Sequence, residues 1–466
     1  MSEKYDLSIF KAYDIRGVAG KNLSPEIMEK IGRAFGTYVV RKGGKNVAVG
    51  RDTRKTSVDY QNAFVKGLTA TGCRVMDMGM IMTPTMYYAS QQEGVDAGAV
   101  ITASHNPAEY NGVKMTFGKA SLPTVEINKV RDMMVAEDFD EGEGEVVDYS
   151  QITQQYLDEI VDKTKIDRCL KVVFDPSGAT GAKYAPELMK KLGCEALMIN
   201  DEIDPEFSLH EPDPVVFDNY KWLIDKVLAE QADIGVFLDG DSDRVGFVDE
   251  KGQIWLGDKI MMLLLQEIMP KYPGRKVIVE LKNSEAVVEE VERLGGVPIF
   301  WKTGHTLIDE KLHEEDAIMA AEMSCHYWLA DEWYKFDDSF YTVARVLRLI
   351  AASGKKFSEL MEAMPHYPAT PEYRVAVPAE RQTDIVAEVV NYFKEKCDRY
   401  IDIDGIRGYK YDGWFLIRSS NTQPVISIRC EAKSDEGLEK IKSFVKDKLD
   451  TIEGVNLDWN RQVDAV

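Results

Sequence analysis

Short apolar runs that stop at polar loops, each followed by a helix-length stretch, recur along the chain. Residues 47–49 run into the loop GRDTRKTS, residues 171–174 into DPSGATG, and residues 277–279 into ELKNSEA. The stretches 60–70, 183–192 and 286–294 that follow read as helices. Each unit then contains a second apolar run: 98–101 before TASHNP, 234–238 before DGDSDR, and 317–321 before EMSCHYW. Apolar strands alternating with helices predict α/β layers. Such folds bind ligands at the loops that end their strands. The repeat lies in pattern and not in residue identity.

Polar or punctuated stretches separate the units. Residues 137–145 are acidic and glycine-containing, which suits a linker, and the turn at 249–252 is expected to close the second unit. Residues 365–371 carry three prolines, which disfavour continuous helix and suit a connector. Beyond them, strand-like segments (373–377, 414–417, 425–430) mix with helical ones (383–396, 437–449), as in a smaller α+β domain. The expected partition is 1–149, 150–253, 254–367 and 368–466. A chain of 466 residues exceeds what one core usually supports, and three or four domains fit it.

The formal net charge of −22 argues against nucleic acid or an anionic membrane as partner, because both need a basic face. An anionic ligand would need local lysine and arginine to overcome that field. The six cysteines are scattered and form no CxxC pair, so neither a structural zinc site nor a thioredoxin-like motif is expected. Sparse cysteines fit reduced thiols and a cytoplasmic location. The first residues lack a signal-peptide core, and the apolar run 260–265 is too short to span a bilayer.

The most informative segment is DGDSDR, residues 239–244. Asp239, Asp241 and Asp243 alternate just after an apolar strand, and alternate residues of an extended segment point the same way. Three like charges this close repel unless a cation neutralises them. Hard oxygen ligands suit Mg²⁺ beside a phosphate, and Arg244 adds a fixed cation for phosphate contact. An EF-hand loop fails because Arg244 stands where the sharp turn needs glycine and strands flank the loop. A DxD phosphohydrolase would make Asp239 the nucleophile, but Asp243 stands where that group usually carries Thr or Val.

The second segment is TASHNP. Ser104 follows a strand and sits in a turn, where serine is commonly a cap or turn former. As a phosphoserine it would need a cation against roughly two negative charges. The aspartate loop could supply one.

Six segments carry a specific resemblance, in family order over nearly the whole chain. They are KAYDIRG at 11–17, TASHNP at 102–107 with YNGVK ending at Lys114, DGDSDR at 239–244, KTGH at 302–305, EMSCH at 322–326 and RSSNTQP at 418–424. The chain resembles the α-D-phosphohexomutases, closest to the bacterial phosphomannomutase/phosphoglucomutase group. The resemblance implies four domains around a central cleft: three similar mixed α/β sandwich domains and a smaller C-terminal α+β domain. In chain order these would carry the phosphoserine loop, the metal, sugar specificity and the non-reacting phosphate.

It further implies that Ser104 holds the phosphoryl group and that Asp239, Asp241 and Asp243 bind Mg²⁺ with it. Arg244 would steady the phosphoserine, while Arg16, His105 and Lys114 surround the reacting oxygen. Glu322 and Ser324 would hold sugar hydroxyls, with Tyr13, Lys282, His305 and His326 completing the substrate side. Arg418, Ser420, Asn421 and Thr422 would grip the other phosphate. Expected partners are a small hexose phosphate and a hexose 1,6-bisphosphate primer, with the chain a monomer or small homo-oligomer. Phosphoglucosamine mutase of the same fold is the nearest alternative. Cys325 departs from the family's usual glycine in the sugar loop, which restricts the backbone there.

Overall fold

In the computed structural model, which describes residues 5–11, 14–420 and 424–459, four sheets follow one another along the chain. The first is built around Ala97–Ile101, a strand buried at every position. It pairs in parallel with Asn46–Arg51 and antiparallel with Tyr110–Phe117. The second sheet repeats the plan, with Ile234–Leu238 parallel to Lys171–Asp175 and antiparallel to Val245–Asp249. The third repeats it again, with Met319–Ala321 between Lys276–Glu280 and Tyr327–Leu329. The recurring unit is a buried strand flanked by a parallel neighbour and an antiparallel return. TASHNP, DGDSDR and EMSCH each open the loop before that return strand.

These strands are apolar throughout because helices cover the sheets. The helices Pro25–Arg41 and Ser57–Thr69 pack together over the first sheet. One continuous apolar core then runs through all three units, taking in Met82 and Tyr88, Tyr156 and Leu188, and Leu264 and Tyr341. The apolar run 260–265 belongs to this core, inside the buried helix Gly257–Ile268. Among the described residues no helix is long and apolar enough to cross a membrane. The turn at 249–252 does not end the second sheet: it is a hairpin, and Ile254–Trp255 pairs back onto Val245–Asp249.

The fourth sheet is antiparallel, ordered Tyr373–Ala376, Val425–Ala432, Gly413–Ser419, Ile406–Lys410, Arg399–Ile401. Period-2 alternation gives it two different faces. Phe415 and Ile417 join Phe393 and Ile441 in a core made with the helices Gln382–Lys394 and Asp435–Leu449. Trp414 and Leu416 point the other way and pack on Leu281 and Phe300 of the third unit. The C-terminal domain therefore has its own core and docks through a separate, smaller contact.

Candidate active site

All four units contribute to one cavity of about 720 Å³. Arg16, Ser104, His105 and Lys114 line it from the first, and Arg244 from the second. Lys282, His305, Glu322, Ser324 and His326 come from the third, and Arg418 and Ser420 from the fourth. Asp239, Asp241 and Asp243 lie fully buried behind this wall. Tyr13, Asn421 and Thr422 lie outside the described residues.

Ser104 sits in a left-handed turn, with φ of 52°, after its buried strand. Its N–H donates to Thr102 Oγ1 at 2.9 Å. Arg54, itself buried, donates to the carbonyls of Ser104, Asn106, Pro107 and Tyr110 and so stitches the loop together. The hydroxyl of Ser104 donates to Asp239 Oδ2 at 2.9 Å, across 135 residues of chain. Glycine at position 240 makes this approach possible. A Cβ there would stand 2.6 Å from the Ser104 carbonyl oxygen.

The carboxylate triplet converges by a different route from the extended alternation the sequence suggests. Ser242 takes a left-handed φ of 60°, and Asp239 Oδ1 accepts from the backbone N–H of Asp243 and Arg244 at 3.0 and 3.2 Å. The loop thus wraps around Asp239. Ligand atoms of the three residues lie within 4.8 Å of one another. Lys114 Nζ donates to Asp241 Oδ2 at 2.9 Å and to Asp243 Oδ2. Burial works against a charge on Lys114, but Asp241 and Asp243 outweigh it and raise its pKa. Burial and then the charges of Asp243 and Asp241 push Asp239 well above the carboxylate range.

Asp241 Oδ1 and Asp243 Oδ1 are buried and have no hydrogen-bond partner. Buried carboxylate oxygens without partners are costly. A hard divalent cation with oxygen preference satisfies both at once, so the donor set fits Mg²⁺.

Above the triplet the cations are held by anions. Arg16 donates to Asp14 Oδ2 and to Asn106 Oδ1, both at 2.6 Å. Lys282 lies 3.3 Å from Glu280 and 3.4 Å from Glu372. These carboxylates outweigh burial and raise its pKa. Arg418 Nε donates to Asp404 at 2.8 Å, while its Nη2 is buried without a partner. In the EMSCH loop, Glu322 accepts from Gly304 N–H at 2.8 Å and from Ser324 Oγ at 3.1 Å. Cys325 adopts the left-handed φ of 74° that glycine takes without strain, and burial pushes its thiol up to about 12.

His305 and His326 are two thirds of a buried trio with Asp337. Burial alone would lower His305, but Asp337 outweighs it and holds the imidazole at about 9. An unfolded histidine titrates near 6.5. A raised folded value means that the charged ring stabilises the fold fully below about pH 6.5, and that this contribution fades as pH rises through about 9. At about 1.4 kcal/mol per pH unit the loss is about 3 kcal/mol. In urea unfolding, the gap between wild type and His305→Asn should therefore be constant below pH 6.5 and shrink towards pH 9. A gap that does not change with pH would contradict the pairing.

Sequence reasoning missed several residues of this site. Arg54 was visible only as one basic residue in a strand-end loop, and Asp14 and Asn106 as letters inside KAYDIRG and TASHNP. Arg374 and Ser427 line the fourth-domain side without belonging to any motif. Asp337 has no local signal in the sequence.

A serine hydroxyl on a cation-ready carboxylate triplet, ringed by guanidinium and ammonium groups, is the layout of a phosphoryl-transfer site. Comparison with known proteins gives the family. Residues 7–141, 154–252 and 256–367 match the alpha/beta/alpha domains I, II and III of phosphoglucomutase/phosphomannomutase, and residues 372–448 match its C-terminal domain. The chain belongs to this family, within the α-D-phosphohexomutase superfamily. It is 36% identical over 446 residues to phosphomannomutase/phosphoglucomutase of Pseudomonas aeruginosa, covering 96% of each chain. It is 35% identical over 445 residues to phosphoglucomutase of Neisseria gonorrhoeae, covering 94% of this chain and 96% of the other. A phosphoglucomutase/phosphomannomutase family protein from Burkholderia thailandensis superposes with a TM-score of 0.91 at 38% identity, over 97% of this chain and 99% of that one.

Proposed function

We propose that the chain is a phosphohexomutase that moves a phosphoryl group between the 1- and 6-positions of mannose or glucose phosphate through a phosphorylated Ser104. The observation that carries this reading is the 2.9 Å contact of Ser104 Oγ with Asp239 Oδ2, at the floor of a cleft shared by all four domains. Asp239, Asp241 and Asp243 would hold Mg²⁺. Bound there, the ion supplies positive charge against the phosphoserine.

The reaction then needs two transfers. In the first, a sugar hydroxyl oxygen attacks the phosphorus, the P–Oγ bond of Ser104 breaks, and the hydroxyl loses its proton. As the P–Oγ bond breaks the serine oxygen takes up a proton, matching the one the sugar hydroxyl gives up, and His105 Nδ1, 3.3 Å from Ser104 Oγ, stands where it would donate it. Arg16, Lys114 and Arg244 balance the charge that spreads over the moving group. The product is a hexose 1,6-bisphosphate, which turns around in the cleft. Its other phosphoryl returns to Ser104, so the serine oxygen regains the bond it lost and the sugar leaves as the isomer. A trace of bisphosphate would load an unphosphorylated enzyme by the second half of this cycle.

Glu322 and Ser324 would hold sugar hydroxyls, with His305, His326 and Lys282 on the same wall. Arg418 with Ser420 would grip the phosphate that is not reacting. Tyr13, Asn421 and Thr422 are assigned by motif alone. Because the two ends of the sugar exchange places, the fourth domain must recognise phosphate and must exclude water while it does so. Its separate core and small docking contact suit a domain that closes as a lid. A nucleophilic Asp239 is less favoured, since both its oxygens already accept hydrogen bonds, from Ser104 Oγ and from two backbone N–H groups.

A coupled assay decides the substrate. Purified protein with Mg²⁺ and a trace of hexose bisphosphate is offered glucose, mannose and glucosamine 1-phosphates. Conversion of the first two to 6-phosphates, well above the third, is expected. Release of free phosphate in step with substrate loss would point to a hydrolase, and a preference for the amino sugar to a phosphoglucosamine mutase.

A further inference from the structure

Arg244 is held from behind by a chain of hydrogen bonds that fixes its own proton positions. Its Nε donates to His326 Nε2 at 2.9 Å. A guanidinium cannot accept, so Nε2 must be the bare, accepting nitrogen of that ring. The proton of His326 therefore sits on Nδ1, which lies 2.6 Å from Asp337 Oδ2. The other oxygen of Asp337, Oδ1, faces His305 Nε2 at 2.8 Å. Asp337 thus accepts one N–H on each oxygen and donates none. All three acidic and imidazole groups are buried or nearly so. Asp243 Oδ1, 3.8 Å from His326 Nδ1, lies beyond hydrogen-bond reach.

We infer that Asp337 is a positioning residue: it locks His326 in the Nδ1–H form and through it aims Arg244 into the cleft. Without this carboxylate the imidazole is free to carry its proton on Nε2. That N–H would meet the N–H of Arg244 Nε head-on, two donors where one donor and one acceptor now stand. The guanidinium would then turn from its present orientation in the cleft wall, where Nη1 lies 4.0 Å from Asp213 Oδ1. His305 contributes by occupying the second oxygen, which keeps Asp337 from rotating.

The role of Arg244 in steadying the phosphoserine rests on the mutase reading, but the proton positions do not. The first test is therefore spectral. In ¹⁵N-histidine-labelled wild-type protein, two-bond ¹H–¹⁵N correlation reads the tautomer of each ring, and the chain has only six histidines. His326, assigned by its loss in His326→Gln, should be neutral with Nδ1 protonated and Nε2 bare. A ring with Nε2–H in the wild type overturns the inference whether or not any variant folds. The second test is a double-mutant cycle in the hexose phosphate assay. Asp337→Ala should lower kcat about tenfold to a hundredfold, the range for removing a carboxylate that orients a histidine, with KM moved less than about threefold. In an Arg244→Ala background the same change should alter kcat by less than about threefold, since the residue it acts through is gone. Additive losses would assign Asp337 a merely structural role. If Ser104→Ala retained turnover, the mutase reading would fail while the tautomer result stood.

Discussion

Ser104→Ala protein folds and binds sugar phosphate but does not turn it over. The loop survives the change because its geometry does not depend on the hydroxyl. The Ser104 N–H still donates to Thr102 Oγ1, and its carbonyl still accepts from Arg54. Alanine meets the same left-handed φ of 52° that serine already tolerates. What disappears is the hydrogen bond to Asp239, which leaves that oxygen facing two other carboxylates. A stability loss of about 1–3 kcal/mol is the ordinary size for a buried acceptor stripped of its donor. The catalytic loss is of another order. The alanine methyl offers no oxygen to carry the phosphoryl group, so kcat should fall at least about ten-thousandfold, as when a covalent nucleophile is removed. Intact-mass measurement and peptide mapping provide the independent readout. Wild-type protein incubated with hexose bisphosphate gains one phosphoryl group on the peptide containing Ser104, and the variant gains none. Near-normal turnover in the variant, or phosphate on Asp239, would sink the shuttle.

The layers of the fold were legible because buried parallel strands write themselves as uninterrupted apolar runs, and 234–238 was read to the residue as the strand Ile234–Leu238. The helix Ser339–Ser353 was not read. Its first nine residues are all buried in the shared core, Ser339, Thr342 and Arg345 among them, so its polar positions do not mark an outward face. The turn at 249–252, read as closing the second unit, falls where the match to the second domain ends, at residue 252, although as a hairpin it sends Ile254–Trp255 back onto the second sheet. At the site, groups that act within one loop were visible: the Asp239, Asp241 and Asp243 triplet declares itself by like-charge crowding. Groups that act across the fold were not. Arg54 is 50 residues from the carbonyl of Ser104 that it holds, and Asp337 meets Arg244 only through His326. No local pattern encodes such partnerships, because each depends on how strands from separate units come to lie side by side.

The joint between the third and fourth domains gives the second large effect. Arg407 in the strand Ile406–Lys410 is fully buried, yet only its Nε stays within its own sheet, donating to Tyr409 Oη at 3.0 Å, while both Nη groups reach the third unit. Nη1 donates to the carbonyls of Leu281 and Asn283, both at 2.7 Å, and Nη2 to Glu285 at 2.8 Å. Its guanidinium carbon lies 3.6 Å from the centroid of the Trp414 ring. Arg429 adds a donor to the carbonyl of Lys282. Two arginines of the fourth sheet thus hold residues 281–283, the loop that carries Lys282 into the cleft. Arg407→Ala strips two buried carbonyls of their donor, unpairs one contact of Glu285 and leaves a void beside Trp414. Breaking a buried, hydrogen-bonded ion pair by removing one partner typically costs about 3–5 kcal/mol. The fourth domain keeps its own core, so the cost falls on docking. The expected result is a fourth domain that unfolds or detaches before the other three, seen as a separate early transition and as faster amide exchange across 281–285. Lys282 would lose its fixed position, and KM for the hexose phosphate should rise about tenfold or more, which is about 1.4 kcal/mol of binding. Phosphorylation of Ser104 by bisphosphate at saturating concentration should be largely retained, because the first two domains are untouched. Arg407→Lys should behave more like the alanine variant than like wild type, since an ammonium cannot span both carbonyls and the Glu285 carboxylate from a stacked plane. A single cooperative transition with unchanged KM would show that the domains are held together elsewhere, and that the loop carrying Lys282 supports itself.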